Sequence, residues 1–326
     1  MLVAGGDLEF GGRRIDADTV QYTSFDHNDA NNLQTAVLTP GDPLYALNQL
    51  AAQVRASGIH SVSGEVVIDD RMFQPYRVPN GNLLITPMMV NENMVDVTAV
   101  PTAVGHPATV VSRPVTPALT VKSTLTTAKA GTVADVELSE NGRPSCIGKT
   151  GCSATISGVI PVGYQAQLSG LDRFVGTFRV EDPSAFARTA FIQALERQGV
   201  SMTAAAVAPN PAALLPAKMG DPGTNQVASY PSAPFAQTAQ LVLKVSLNQG
   251  ANLSLSLFGL TKGQRTIQGA LAAERSTVTN KFGVNGNEFD FPTNGSGSPD
   301  SKASPKAIAG DVDRDEQNLG GTTVSE

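Results

Sequence analysis

Leu243-Lys244-Val245-Ser246-Leu247-Asn248-Gln249-Gly250-Ala251-Asn252-Leu253 sets a Ser-x-Asn triplet between two apolar-periodic runs. Upstream, Phe235 through Val245 predicts a helix that offers Leu241, Val242 and Val245 to a core. Downstream, Leu253, Leu255, Leu257 and Phe258 predict a second helix, and Gln264 to Glu274 a third. A serine and an asparagine two residues apart at such a bend can both face one cleft. There a hydroxyl can relay a proton and a carboxamide can hold a peptide. The bland alternative makes Ser246 and Asn248 ordinary caps of the helix that follows.

Around this bend the chain is mixed. Asp42-Pro43 opens a helical run with Leu44, Leu47, Leu50 and Val54 on one face, stopped at Gly58-Ile59. Asp182-Pro183 opens another with Phe186, Ala190, Phe191, Ala194 and Leu195, stopped at Gly199-Val200. Asp as N-cap, Pro at the first helical position and Gly past the end are the expected punctuation. Val62 and Glu65 through Asp70 read as a strand, and Val95, Val97 and Ala99 alternate with Asp96 and Thr98 as another. Residues 119–178 are rich in Thr, Ser, Gly and Val without a helical period, which predicts a β-rich insert. Pro209 to Pro222 is a connection, and from Asn285 onward Gly, Ser, Asp and Asn predict little regular structure.

Composition narrows the function classes. The chain has 326 residues, which is the length of about two or three domains. No run of about 18 apolar residues encodes a membrane span. The opening Met1-Leu2-Val3-Ala4-Gly5-Gly6-Asp7 reads as the interior of a strand, with no signal peptide. A net charge of −6 with dispersed lysines and arginines argues against nucleic acid as a partner. Trp is absent and aromatics are 5%, which disfavours a carbohydrate-stacking module. Cys146 and Cys152 bracket a Gly-rich segment; two free thiols and one local disulfide both fit, and the disulfide would mean an oxidising compartment. No cofactor or metal is expected. Asp26-His27-Asn28-Asp29 is read as a polar turn in preference to a metal site, and His27, His60 and His106 are scattered with no nucleophile elbow beside them. Asp311, Asp313 and Asp315 occupy calcium-loop places, but Glu316 and Thr322 stand where Gly and Glu are needed, so an acidic disordered tail is the reading.

Asn294-Gly295-Ser296-Gly297 follows the strand-like Phe289-Asp290-Phe291-Pro292 and is itself followed by Ser304-Pro305-Lys306-Ala307. Taken with Leu243 to Asn248, these segments resemble the D-alanyl-D-alanine carboxypeptidase/endopeptidase family, the class C low-molecular-weight penicillin-binding proteins. Gly5-Gly6-Asp7, Ala56-Ser57-Gly58-Ile59 leading to Gly64-Glu65-Val66-Val67-Ile68-Asp69, and Met89-Val90-Asn91-Glu92-Asn93 look like that family's inserted domains. The resemblance runs from the start of the chain to about Gly310, so its specificity lies in extent and order.

The resemblance implies an α+β multidomain fold: a partial penicillin-binding, transpeptidase-like domain with inserted α/β and β-rich accessory domains. The expected division is an α/β accessory domain over 1–93, the β-rich insert over 94–180 and a return to the accessory domain over 181–222. A partial peptidase domain over 223–310 and the tail over 311–326 complete it. It also implies an acyl-enzyme mechanism on peptidoglycan stem peptides, in which S-x-x-K supplies the nucleophile and K-T-G grips the substrate carboxylate. Ser246 is then the proton relay and Asn248 a substrate-binding residue, with Asn294, Gly295, Ser296 and Gly297 lining the same groove. Asn294 stands where Asp is usual.

No lysine in the chain has a serine three residues before it, so no nucleophile of that type is present, and the chain is expected to begin after that element. Lys149-Thr150-Gly151 spells K-T-G but precedes Ser246 and lies between the cysteines, so it reads as a chance match. The implied partners of the complete enzyme are peptidoglycan peptides and β-lactams, and the implied location is the cell envelope, periplasmic or extracellular. The alternatives are a non-catalytic module that binds peptidoglycan or envelope proteins, and a truncated product without function.

Overall fold

Val95, Val97 and Ala99 carry the apolar face of the strand Met94–Val100, and all three are buried. In the computed structural model, which describes residues 1–28, 30–33, 36–79, 81–217, 219 and 225–309, this strand is the centre of an antiparallel sheet. Phe174–Arg179 pairs with it on one side, Val97 opposite Gly176, and Thr109–Arg113 on the other, Val97 opposite Ser112. Gly176 leaves room for a ring: a Cβ there would stand 2.9 Å from the Phe174 side chain. A second sheet is centred on Ser153–Pro161, antiparallel to Asp135–Leu138 and parallel to Thr120–Ser123 and Thr126–Ala128. Residues 119–178 are thus built from strands, as their composition predicts.

Two helices, Tyr45–Ala56 and Pro183–Arg197, cover the same hydrophobic core, joining Leu47, Leu50 and Ala51 to Phe186, Ala190, Phe191 and Leu195. Asp182 caps the second helix by accepting from the Ala185 amide at 2.9 Å. The first departs from expectation. It starts at Tyr45, because Asp42 turns its carboxylate onto the Leu44 amide (2.9 Å) and folds Pro43-Leu44 into a turn instead of a first helical turn. The predicted strand over 65–70 contracts to Ile68–Asp69, which pairs in parallel with Leu2–Val3; Ser61–Val62 pairs in parallel with Ser201–Met202. One reason is Arg188, 1% exposed inside its helix, whose guanidinium takes the Val66 carbonyl at 3.0 Å and the Glu65 carboxylate at 2.6 Å.

The chain divides into two compact units, residues 1–72 with 86–247, and residues 73–85 with 248–326. The second holds the helices Asn248–Thr261 and Ile267–Asn280, whose Leu255, Ile267, Ala270 and Leu271 form a small core with Tyr76 and Phe258. The helices approach closely, since a Cβ on Gly259 would lie 2.7 Å from that of Ala270. The third predicted helix begins three residues later than expected, at Ile267, where the Thr266 hydroxyl caps it by accepting from the Gly269 amide, and runs on to Asn280. Beyond Asn285 the strand-like Phe289–Asp290 does pair, with Lys302–Ala303, and Phe289 packs with Val284 and Ala307, more order than composition alone suggests. The acidic tail and its calcium-like spacing lie outside the described residues. No helix among the described residues is long and apolar enough to cross a membrane.

Candidate functional site

Ser246 follows the helix Phe235–Val245 in the left-handed conformation, φ 57° and ψ 44°, a place where a helix more often puts Gly. The Leu247 amide closes the helix onto the Val242 carbonyl at 3.1 Å, and Leu247 is buried. Ser246 is exposed, and its hydroxyl has no hydrogen-bond partner among the described residues. Asn248 is the first residue of the next helix and is half-buried. The triplet is thus a tight link between two helices, as its flanking periodicity predicts.

The helix that ends at Ser246 is tethered through polar side chains. Thr238 donates to the Glu9 carboxylate at 2.6 Å, Tyr22 donates to Gln240 at 2.8 Å, and the Lys244 ammonium stands 4.7 Å from the Tyr22 ring centre. Asp7 receives the Glu9 amide at 2.9 Å. Burial, then its hydrogen bond and like charge with Glu9, push the Asp7 carboxyl up to about 8, so it is largely protonated at neutral pH.

In the second unit, Asn252 is fully buried one helical turn after Asn248. Its carboxamide nitrogen donates to the Asn248 carbonyl and to the Ser296 hydroxyl, both at 2.8 Å, and its oxygen accepts the Gly295 amide at 3.0 Å. Asn294 turns its own side-chain oxygen onto the Ser296 amide at 3.0 Å. Tyr76 donates to the Asn252 carbonyl at 2.9 Å, and burial pushes its phenol up to about 12 against the Ser256 hydrogen bond. Asn248, Asn294, Gly295 and Ser296 are therefore joined in one network, and Gly297 continues the loop at φ 77°. Asn252 carries no role in the sequence reading. Its signal was the i, i+4 spacing from Asn248 on one helix face.

Cys146 and Cys152 are disulfide-bonded, Cα to Cα 5.2 Å. Lys149-Thr150-Gly151 lies in the turn they close and on no strand.

The larger omission is elsewhere. Asp26-His27-Asn28 does lead into a polar turn, but a buried one: all three residues are inside (Asp29 lies outside the described residues). His27 places Nδ1 2.7 Å from Asp96 and Nε2 3.3 Å from Glu92. Arg113 meets Asp96 at 3.0 Å, while Arg13 pairs with Glu92 and, at 2.6 Å, with Asp26. Asp96, which alternation sets opposite Val95 and Val97, is itself fully buried because these cations surround it. Burial opposes the imidazolium, but Asp96 and Glu92 outweigh it and push His27 up to about 10. Glu92 is held well below the carboxylate range by Arg13 and His27 against the same burial. Glu92 sits between Asn91 and Asn93 in three consecutive left-handed residues, φ 49°, 54° and 58°, a strain that buried ion pairing offsets. Among the described residues no three His, Cys, Asp or Glu side chains are placed to share a metal ion.

The fold, with its two larger sheets and two helices on one core, is similar to that of a penicillin-binding protein. Two structures of penicillin-binding protein 4 from Haemophilus influenzae share it at 15% identity. One, complexed with a novel β-lactam, covers 96% of this chain and 66% of its own, TM-score 0.57; the other covers 96% and 67%, TM-score 0.61. The chain spans about two thirds of their length. The chain belongs to the D-Ala-D-Ala carboxypeptidase 3 (S13) family, whose model matches residues 15–316. No curated protein sequence matches it.

Proposed function

We propose that this chain is a serine-type D-Ala-D-Ala carboxypeptidase/endopeptidase homologue of the kind that acts on peptidoglycan stem peptides through an acyl-enzyme. Family membership over most of the chain, together with Ser246 and Asn248 at a helix-to-helix link, carries the reading. Ser246, with its hydroxyl uncommitted and exposed, is the proton relay. Asn248 binds the substrate peptide, and Asn294 to Gly297 shape the groove beside it. β-Lactams, which mimic the D-Ala-D-Ala terminus, are ligands of the complete enzyme. The disulfide supports a cell-envelope location, periplasmic or extracellular. The division we carry forward assigns 1–93 and 181–222 to an accessory domain, 94–180 to its β-rich insert and 223–310 to the partial peptidase domain.

The activated serine of S-x-x-K is not in this sequence, so the polypeptide by itself forms no penicilloyl adduct. Incubation with a fluorescent penicillin followed by denaturing electrophoresis tests this, and stoichiometric labelling would overturn it. The second reading is a non-catalytic cell-envelope module that binds peptidoglycan. Sedimentation with purified peptidoglycan, with peptide release assayed in parallel, separates the two.

A further inference from the structure

The three side-chain bonds of Asn252 need an amide and no other group. Its nitrogen has two acceptors, the Asn248 carbonyl and the Ser296 hydroxyl, and its oxygen has one donor, the Gly295 amide. An aspartate could accept from Gly295, but its second oxygen would face the Asn248 carbonyl, acceptor against acceptor. The loop is also seated tightly: a Cβ on Gly295 would stand 3.0 Å from the Ala251 carbonyl oxygen and 3.1 Å from Leu255. We propose that Asn252 is a positioning residue whose carboxamide locks the Asn294–Gly297 loop onto the start of the Asn248–Thr261 helix and so fixes how Asn248 is presented.

The lock has a chemical signature. Asn294-Gly295 is an Asn-Gly step, open to spontaneous deamidation. The deprotonated Gly295 nitrogen attacks Cγ of Asn294, an N–C bond forms, the Cγ–Nδ2 bond breaks and ammonia leaves. Water then opens the succinimide to aspartate or isoaspartate. Nδ2 of Asn294, the leaving nitrogen, is buried without a hydrogen-bond partner. What holds the reaction back is the attacking nitrogen, whose proton Asn252 keeps and whose movement the helix blocks. Asn285-Gly286 in the same unit is the internal control, since Asn285 is exposed and the Gly286 amide has no partner among the described residues.

The test is peptide mass spectrometry of the whole chain after prolonged incubation in mildly alkaline buffer. In the wild type, Asn285 converts and Asn294 does not. In Asn252→Leu, conversion at Asn294 rises at least about tenfold, the factor carried by one buried hydrogen bond, while Asn285 is unchanged. Should the leucine variant lose its helical circular dichroism, Asn252→Ser gives the same decision with less disturbance. Ser296→Ala keeps the Gly295 bond and leaves Asn294 slow. Unchanged Asn294 in the Asn252 variants, or a rise in Ser296→Ala as large as theirs, overturns the lock.

The positioning role rests on the function proposed above and is read separately. Titration of the ¹⁵N-labelled chain with an N-acyl-D-Ala-D-Ala peptide shifts the Asn248 amide, and Asn252→Ser weakens that affinity about fivefold, the loss of part of one hydrogen bond. Equal affinity in the variant overturns the positioning role. No shift in the wild type sinks the functional reading and leaves the lock to the deamidation result.

Discussion

His27 has a carboxylate against each ring nitrogen, and this fixes the sign of its pH dependence. The folded chain holds its proton up to about 10, whereas an unfolded histidine releases it near 6.5. Its stabilisation is therefore complete below about 6.5 and lost progressively as pH rises to about 10. Asp7 acts in the same direction by the opposite route. Its buried carboxyl prefers to stay protonated to about 8, so the unfolded state gains on it between about 4 and 8. The thermal midpoint should fall from mildly acid to alkaline pH. His27→Gln should flatten the upper part of that fall and Asp7→Asn the lower part; parallel profiles for all three proteins would refute both assignments. Arg13→Ala leaves Asp26 buried without its cation and Glu92 with His27 alone, and should cost about 3–5 kcal/mol in denaturant unfolding. A loss below about 1 kcal/mol, the worth of an exposed pair, would mean that water reaches the network.

Among the elements, the two helices that open on Asp-Pro show how much local pattern can carry. Asp182 caps its helix as its sequence indicates, and Asp182→Ala should cost about 1 kcal/mol. Asp42 has the same neighbour in Pro43 but spends its carboxylate on the Leu44 amide and on Asn48, so the helix begins later. The choice between a cap and a turn is made by what surrounds the first turn, which the dipeptide does not encode. The link at Ser246 is the reverse case. A β-carbon in the left-handed region is strained, and Gly would relieve it, so Ser246→Gly should raise stability by about 0.5–1 kcal/mol. Differential scanning calorimetry of the pair measures this. A destabilised glycine variant would show that the hydroxyl has a structural partner and is not held for chemistry.

At the scale of the molecule, the two units differ in what holds them. The first has one large core that joins both helices and both sheets; the second relies on two small clusters around Leu255 and Phe289. Backbone amides of Asn248–Thr261 and Ile267–Asn280 should therefore exchange with solvent faster than those of Pro183–Arg197. Hydrogen exchange read by mass spectrometry checks this, and equal protection would contradict it. By itself the sequence determined the longer helices and the β character of residues 119–178, the family, the cysteine pair as one of two options, and the helix-to-helix link at Ser246-Leu247-Asn248. Each of these is written in neighbours within a few residues, where periodicity, caps and spacing act. Only the tertiary structure decided that Asp26-His27-Asn28 is buried, that Asp96 is buried inside a sheet against His27 and Arg113, and that Asn252 holds Gly295. Their partners are distant in the chain, 69 residues from His27 to Asp96, 79 from Arg13 to Glu92 and 43 from Asn252 to Gly295. A polar residue announces that it needs a partner, but the low dielectric that makes the pairing strong exists only once the core has closed around both.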